Sequence, residues 1–379
     1  MTEIQNAYSY EQRRKRRLQK LRWQFWHIDP PLFFLLILLG VVGILILYSA
    51  SNSNFNMVAK QMLRMVFAFG VMLVFAKIPP SYFYRWAPWF FVMIVALLFL
   101  VLLVAKFHHG GKRWMDLAGF IFQPSEFMKL AMPLMLSYYL SDKSLPPNFK
   151  TIAITVLILF VPFVLIAKQP DLGTAILVLL SGIFILILAG LSIRLLITLF
   201  SVGILSTPIL WYFMHQYQKD RVLTLLNPER NPLGTGYHII QSKIALGSGG
   251  FLGKGFLHGT QSHLQFLPAH ATDFIYAVAG EEFGLLGCLF IILLVLAILS
   301  RCLYISINAQ NNFTRLLSGS LCLTFFTSAF INIGMVIGIL PVVGVPLPLI
   351  SYGGSSMLTL MASFGMIMSI HTHRKLWSS

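Results

Sequence analysis

Charged residues are scarce in this sequence, and acidic ones are the scarcest. Asp, Glu, Lys and Arg make up 11% of the 379 residues, whereas a soluble domain carries about 25%. The chain has 12 acidic residues against 28 basic ones, for a net charge of +16. Its 3 cysteines have no Cys-x-x-Cys spacing and lie in or beside apolar runs, which is typical of buried small hydrophobes. These shortages exclude a disordered chain, a coiled coil and an ordinary cytosolic enzyme.

Apolar residues, in contrast, are abundant. They make up 57% of the chain, and the mean hydropathy is +0.78. About 20 apolar residues suffice for a helix that crosses a bilayer. Reading for such runs predicts an all-α, polytopic membrane protein with about ten transmembrane helices. The candidate runs are 32–50, 57–76, 86–105, 125–140, 151–167, 172–190, 193–213, 273–300, 315–340 and 355–371.

The distribution of basic residues predicts the orientation and the domains. The first 22 residues hold a dense basic cluster, including Arg13, Arg14 and Lys15, which favours a cytoplasmic N-terminus. Ten spans then place the C-terminus on the same side. We therefore expect a basic cytoplasmic tail (1–31), one transmembrane domain (32–371) and a cytoplasmic C-terminus (372–379). On so apolar a chain, the positive charge favours anionic lipid headgroups or an anionic lipid-linked substrate over nucleic acid.

Two segments break the pattern of apolar runs. Residues 214–272 form a long, polar, glycine-containing loop between the seventh and eighth spans, on the predicted outer face. Loops of that length in a compact protein are usually functional. Residues 341–354 contain three prolines and three glycines and yet remain apolar. A helix cannot continue through them, and non-helical backbone at membrane depth must be covered, so the segment is predicted to be re-entrant.

Some charged residues lie close to predicted spans, where they are functional candidates. Lys60 and Arg64 share a helical face near the outer end of the second span, and they suit either a phosphate clamp or snorkelling toward headgroups. Glu126 and Lys129 are three residues apart in the fourth span and can form an ion pair that orients this helix. Asp171 is well placed as the N-cap of the sixth span.

Asp273 is the most informative acid. It lies where the long loop enters the eighth span, as its N-cap or one residue inside it, and Glu281 and Glu282 follow two turns later. The same loop supplies basic residues, namely Lys219, Arg221, Arg230, Lys243 and Lys254. A carboxylate amid cations at the mouth of a bundle suits a general base that acts beside a bound pyrophosphate. A transporter with an acid at the membrane midplane has a similar pattern. His108 and His109 have no second cluster of ligands nearby, so no metal site is proposed for them.

Several motifs, in order along the chain, carry a resemblance to a known family. They are Gly111-Lys112-Arg113-Trp114, Gln123-Pro124-Ser125-Glu126 with Lys129, 168–174 (KQPDLGT), 227–232 (NPERNP), 236–243 (GYHIIQSK), 247–250 (GSGG), Thr272-Asp273-Phe274-Ile275 with Glu281-Glu282, and 348–356 (PLISYGGSS). With them the chain resembles the SEDS (shape, elongation, division and sporulation) family from about residue 28 onward. The motifs 227–230 and 237–243 favour its elongation members over its division members.

The resemblance implies a multi-pass protein of the bacterial cytoplasmic (inner) membrane with its active site facing the periplasm. It implies a glycosyltransferase that polymerises lipid II, with Asp273 as general base and undecaprenyl pyrophosphate as the leaving group. The candidates for substrate binding are then Lys60, Arg64, Lys112, Arg113 and Lys243 for the pyrophosphate, Glu126 and Lys129 for the shape of the cavity, and Gln241, Ser242 and Ser351 in the loop motifs.

The resemblance also implies partners and leaves alternatives open. A class B penicillin-binding protein and other membrane proteins of the elongation machinery are the expected partners. The chain departs from the family where Pro-Glu-x-His usually precedes the Thr-Asp pair, since Ala269 replaces the Glu and His270 lies one place early. No cofactor is therefore assigned, and dependence on a divalent cation stays open. The alternative functions are a lipid II flippase and a non-catalytic elongation scaffold.

Overall fold

The structure, a computed structural model, describes residues 27–104, 115–117, 120–214, 216–230, 235–264, 266 and 269–374. Apart from one short hairpin, its regular elements are helical. The helices are α1 (Pro30–Ala50), α2 (Phe55–Lys77), α3 (Pro80–Val104), α4 (Pro124–Ser141), α5 (Phe149–Lys168), α6 (Leu172–Leu188), α7 (Ile193–Leu205), α8 (Thr207–Phe213), α9 (Gln216–Leu226), α10 (Thr235–Ser248), α11 (Thr260–His263), α12 (Ile275–Ile307), α13 (Asn312–Ile337) and α14 (Ser355–Thr372). The all-α prediction is therefore confirmed.

The predicted spans agree with the helices in all but one case. Each run except the seventh coincides with a single helix, although the ends differ by a few residues. Six of the described helices (α1, α2, α3, α5, α12 and α13) are long and apolar enough to cross a bilayer, and α6 is a shorter apolar helix. The total of ten crossings and the orientation stay predictions.

The seventh predicted span, 193–213, corresponds to two helices instead of one. The structure divides it into α7 and α8, with Ser206 between them. Pro208 is the second residue of α8. Proline has no backbone N–H to donate to the preceding turn, so it is tolerated in the first turn of a helix and disfavoured in the interior. The break therefore falls just before the proline.

One element of the structure lies outside the helical prediction. Strands β1 (Met115–Leu117) and β2 (Phe120–Phe122) pair in antiparallel register, with Met115 opposite Phe122. This hairpin ends directly before α4. Three-residue strands in an apolar stretch leave too short a pattern to be recognised from the sequence.

The core has two parts that share the central helices. Helices α12, α13 and α14 form the larger part, and α2 packs against α14 along its length. Helices α3, α4, α5 and α6 enclose the second part, and α4 and α6 also contact α13. Helix α13 is thus covered on several sides, which explains why it holds buried polar residues such as Ser320 and Asn332.

Helix α12 is broken near its start, and the long loop repairs the break. Gly284 has a φ of 62°, a left-handed conformation that only glycine adopts without strain. The freed N–H groups of Leu285 and Leu286 donate to the carbonyls of Gly250 and Phe251 at 3.0 and 3.3 Å. In return, the N–H groups of Lys254 and Gly255 donate to the carbonyls of residues 281 and 282, each at 3.0 Å. The broken backbone is therefore satisfied by protein.

The segment 214–272, predicted as one long loop, contains helices and contacts α12. The loop contains α9, α10 and α11, and residues 249–255 reach the level of Glu281 on α12. At 1.5 Å per residue, that level is about 10 Å along the axis from the first residue of α12. The polar composition of the loop did not reveal this contact with α12, because residues 249–255 are mostly glycines and apolar residues.

The first and last described segments, at His27 and His373, meet at one end of the bundle. The rings of His27 and His373 stack with centroids 4.0 Å apart. Beside them, Asp29 caps the start of α1 and binds Arg301 of α12 at 2.6 and 2.9 Å. We call this the terminal end. The opposite end, where α12 begins, is called the Asp273 end.

Candidate functional site

Asp273 lies in a turn, and both sequence predictions of its position were wrong. The turn covers residues 271–274, and α12 begins at Ile275 with Phe274 in the N-cap position. Asp273 therefore precedes the helix by two residues instead of capping or starting it. Its side chain is half-buried. A Cβ placed on Gly344 would stand 3.7 Å from Asp273 Oδ2, so the carboxylate lies against the proline-rich segment.

The proline-rich segment, residues 341–354, is non-helical, as its sequence predicted. Val345, Leu347 and Ile350 in it are buried. It is joined to the Asp273 turn by two hydrogen bonds: Ser351 Oγ donates to the carbonyl of Thr272 at 2.6 Å, and the N–H of Tyr352 donates to that of Ala271 at 2.9 Å. The segment and the turn therefore form one unit at the Asp273 end.

Helix α2 approaches this unit with a buried amide and two cations. Gln61, only 1% exposed, donates its Nε2 to the carbonyl of Ser351 at 3.1 Å. Arg64, one turn further along α2, lies over the ring of Tyr352 at 4.5 Å from the centroid. Such a contact holds a guanidinium in place while its N–H groups stay available. Lys60 is exposed on the same helical face.

Helix α10 approaches the turn from another direction. His238 stacks on Phe274 with ring centroids 5.7 Å apart, and burial lowers the pKa of His238 below its usual value. Lys243 is exposed, and its side chain lies over Gly338, where an added Cβ would stand 2.3 Å from Lys243 Cε. Gln241 is half-buried on this helix.

Two of the predicted substrate-binding hydroxyls have backbone partners within the protein. Ser242 is fully buried, and its Oγ lies 3.0 and 2.9 Å from the carbonyl oxygens of Ile239 and Val336, which share its one hydrogen. Ser351 is 4% exposed, donates to Thr272 and accepts from the N–H of Leu347 at 2.8 Å. These contacts give both hydroxyls a part in holding segments together.

A cavity beside the proline-rich segment is lined by Lys129 of α4. Lys129 Nζ lies 2.6 Å from Glu126 Oε2, so the predicted pair is present, and Lys129 lines the cavity. The cavity walls are unusually rich in hydroxyl groups for a bundle interior. They come from α13 and α14: Thr324, Ser328, Ser356, Thr359 and Ser363. Lysine and hydroxyl groups together can bind the oxygens of a sugar or phosphate.

Other predicted acids are structural. Asp171 caps α6 by accepting from the N–H of Thr174 at 3.3 Å, as predicted, and it also accepts from Ser125 Oγ at 3.2 Å. Glu281 is fully buried and binds Lys254 Nζ at 2.6 Å. Glu282 accepts a short hydrogen bond from Ser49 of α1. Both glutamates therefore hold other segments against α12.

Two buried amides were missed by the sequence reasoning. Gln61 and Asn332 both lie within apolar spans and both hold the proline-rich segment. The signal was available, since a polar residue inside a membrane helix is a functional candidate. It was overlooked because only charged residues were considered.

Some expectations cannot be compared with the structure. Lys112 and Arg113 lie outside the described residues, as does the basic tail up to residue 26. Within the described part of the chain, no three His, Cys, Asp or Glu side chains come together as ligands of a metal ion. No step is assigned to a divalent cation.

Comparisons with known proteins identify relatives over nearly the whole chain. The family model of the FtsW/RodA/SpoVE cell cycle proteins matches residues 30–376. The peptidoglycan glycosyltransferase MrdB of Escherichia coli (strain K12) is 48% identical over 361 residues, covering 95% of this chain and 98% of that protein. The probable peptidoglycan glycosyltransferase FtsW of Geobacter sulfurreducens (strain DL-1 / KN400) is 33% identical, with coverage of 92% and 96%.

Solved structures agree with this result. A chain from a structure titled "Structural coordination of polymerization and crosslinking by a peptidoglycan synthase complex" matches with a TM-score of 0.80 at 29% identity, covering 92% of this chain and 98% of that one. The rod shape determining protein RodA of Thermus thermophilus matches with a TM-score of 0.69 at 23% identity, over 92% and 98% of the two chains, and so supports the fold. The chain belongs to the FtsW/RodA/SpoVE (SEDS) family.

Proposed function

We propose that this protein is the peptidoglycan glycosyltransferase of cell elongation, and that it polymerises lipid II into glycan strands. Relatives that are 48% and 35% identical to it carry the name peptidoglycan glycosyltransferase MrdB. The observation that carries the proposal is that Asp273, Arg64 and Lys129 all border the proline-rich segment. An acid and two cations around one segment suit a reaction that removes a proton and releases a phosphate.

In the proposed reaction, Asp273 is the general base. Its carboxylate takes the proton from the 4-hydroxyl of the acceptor's N-acetylglucosamine. The oxygen then attacks the anomeric carbon of the donor, the bond to the pyrophosphate breaks, and undecaprenyl pyrophosphate leaves with inversion at that carbon. A half-buried carboxylate in a turn suits this role, because it can meet a hydroxyl without first leaving a helix cap.

The cations are proposed to stabilise the leaving pyrophosphate. Arg64 is held over Tyr352 beside Gly354, and Lys60 is exposed one turn away on the same face. Lys243 approaches from α10, and Lys112 and Arg113 complete the set proposed from the sequence. A fixed positive group at the developing charge stabilises a transition state more than a mobile one, because it needs no reorganisation.

The proposed reaction requires the Asp273 end to face the periplasm. His27 and His373 contact each other at the terminal end. Their shared position agrees with two cytoplasmic termini in a multi-pass protein of the bacterial inner membrane. Since a matched chain comes from a peptidoglycan synthase complex for polymerisation and crosslinking, we propose a crosslinking enzyme, a class B penicillin-binding protein, as partner.

The test is polymerisation by the purified protein with no other transferase present. Wild-type protein in vesicles should make glycan chains from lipid II, and Asp273→Asn should make none while it unfolds at the same temperature. Asp171→Asn is the matched control, since it removes a buried carboxylate that caps α6 and should chiefly lower stability.

Other outcomes separate the alternatives. If labelled lipid II changes leaflets equally well with wild type and Asp273→Asn, and neither forms chains, the protein is a flippase. If neither activity is found but elongation enzymes still bind, it is a scaffold. Polymerisation by Asp273→Asn at the wild-type rate would remove the general-base role.

A further inference from the structure

Asn332 is a fully buried amide that joins the Asp273 turn to the proline-rich segment. It lies near the end of α13, and its Nδ2 donates to the carbonyl of Asp273 and to that of Val345, each at 2.8 Å. Both partners can only accept a hydrogen bond, so the nitrogen of the amide must face them. The orientation of the side chain is thereby fixed by chemistry.

Both carbonyls belong to irregular backbone, outside the regular hydrogen-bond ladder of a helix. Asp273 precedes α12, and Val345 lies in the non-helical segment 341–354. A buried carbonyl without a donor costs free energy. One amide with two hydrogens can satisfy both at once, whereas a serine or threonine at the same place has one hydrogen to give.

The turn is held at three consecutive peptides. The carbonyls of Ala271, Thr272 and Asp273 accept from Tyr352 N, Ser351 Oγ and Asn332 Nδ2, respectively. A held carbonyl fixes the rotation of its peptide plane, and the plane after Asp273 sets the direction in which its side chain leaves the backbone. Of these three contacts, the one from Asn332 comes from a helix and acts on the acid itself.

We propose that Asn332 is a positioning residue for Asp273: through the carbonyl of Asp273 and the carbonyl of Val345, it fixes the carboxylate toward the reacting sugar hydroxyl. This inference rests on the proposed role of Asp273 as general base. A shift of about 1 Å in a catalytic group can lower a rate by about a hundredfold. Loss of Asn332 should therefore act on the rate constant of the chemical step and leave lipid II binding nearly unchanged.

The test compares Asn332→Leu and Asn332→Asp with the matched control Ser320→Ala. Ser320 lies on the same helix, is fully buried and donates to the carbonyl of Ser181 at 2.9 Å, far in sequence from Asp273. Asn332→Leu keeps the size and removes both donors, so kcat for polymerisation should fall by about a hundredfold with KM within about twofold of wild type. Ser320→Ala should keep the wild-type kcat.

Asn332→Asp supplies a pH signature. A buried carboxyl that faces two carbonyl oxygens stays protonated at neutral pH and donates one hydrogen bond. Its kcat should therefore lie between those of wild type and Asn332→Leu, and should decline toward alkaline pH as the carboxyl ionises. If Asn332 has a purely structural role, kcat of Asn332→Asp should show no additional decrease at alkaline pH.

A second measurement does not depend on activity. Carbodiimide labelling of Asp273, followed by mass spectrometry, reports how the carboxylate is presented. The rate of labelling should change at least several-fold in Asn332→Leu and stay unchanged in Ser320→Ala.

The outcomes distinguish this inference from the proposed function. Wild-type kcat and wild-type labelling of Asp273 in Asn332→Leu would overturn the positioning role, as would a loss confined to KM. If Asp273→Asn still polymerises lipid II while Asn332→Leu alters labelling, the general-base role fails and the contact that fixes Asp273 stands.

Discussion

Asp273 and Glu281 stand eight residues apart on one stretch of chain, and the structure treats them in opposite ways. Glu281 is fully buried, and its carboxylate accepts hydrogen bonds from Lys254 Nζ, from Thr260 N and Oγ1, and from Gln261 N. Asp273 is half-buried, and Asn332 holds its backbone carbonyl. These contacts thus engage the carboxylate of Glu281 and the backbone carbonyl of Asp273.

The difference teaches how to separate a structural acid from a functional one. A carboxylate surrounded by four donors has its charge committed to the fold, and it pins residues 254–261 to α12. In Asp273, by contrast, the contact from Asn332 is to the backbone carbonyl, and it defines where the side chain starts. The sequence alone did not distinguish the two residues, because both are acids near the start of the same predicted span.

The largest effect is expected for Asp273→Asn. Removal of a general base lowers a rate by about a thousandfold, and the melting temperature should change little because the anchoring contact is made by the backbone. Polymerisation of lipid II and thermal unfolding should both be measured. A large loss of stability in this variant would make Asp273 a structural acid like Glu281.

Glu281→Ala should show the reverse behaviour. It leaves Lys254 and the N–H groups of Thr260 and Gln261 without their acceptor, so stability should fall by about 4 kcal/mol. Lys254→Met, which removes only the charge and keeps the other donors to Glu281, should cost less, about 1 kcal/mol. Thermal unfolding checks the order of the two variants, and equal losses would contradict the importance of the backbone donors.

Gly253→Ala tests the attachment of the loop to the broken helix. Residue 253 has a φ of 84°, and an added Cβ would stand 2.1 Å from the carbonyl oxygen of Glu282. The strain and the clash together should destabilise the protein by about 3 kcal/mol. Gly247→Ala in α10 is the matched control, because an added Cβ there meets open space and should stabilise the helix by up to about 1 kcal/mol. Similar melting temperatures for the two variants would contradict the tight approach.

The smallest effect concerns the terminal end and pH. The pKa of His27 is lowered from its ordinary value of 6.5 by burial and by the neighbouring His373 and Lys77. Since the unfolded chain then binds the proton more readily, stability is present above about pH 6.5 and decreases as the pH falls through that value. His27→Gln should reduce this acid-side loss by no more than about 2 °C in melting temperature. The control is His258→Gln, on the exposed loop, and an identical slope in both variants would contradict the prediction.

Much of the fold was predictable because its signal is local. Apolar runs of bilayer length marked the helices, and Pro and Gly marked the proline-rich segment. The Glu126–Lys129 pair and the Asp171 cap were predictable for the same reason, since three residues separate the partners in each. The sequence pattern showed neither two separate helices at 193–213 nor the contact of residues 249–255 with α12. An apolar run indicates burial, but it does not indicate whether a helix is continuous.

The sequence by itself determined a helical membrane protein, its family, and the acids and cations from which a site is built. Only the tertiary structure decided which of them form it. Asn332 is 59 residues from Asp273, Ser351 is 79 from Thr272, and Gln61 is 290 from Ser351. Hydrogen bonds over such separations leave no periodicity in the chain, because they depend on how the helices pack. The packing of the helices therefore buries Glu281 against Lys254 and places Asp273 beside the proline-rich segment.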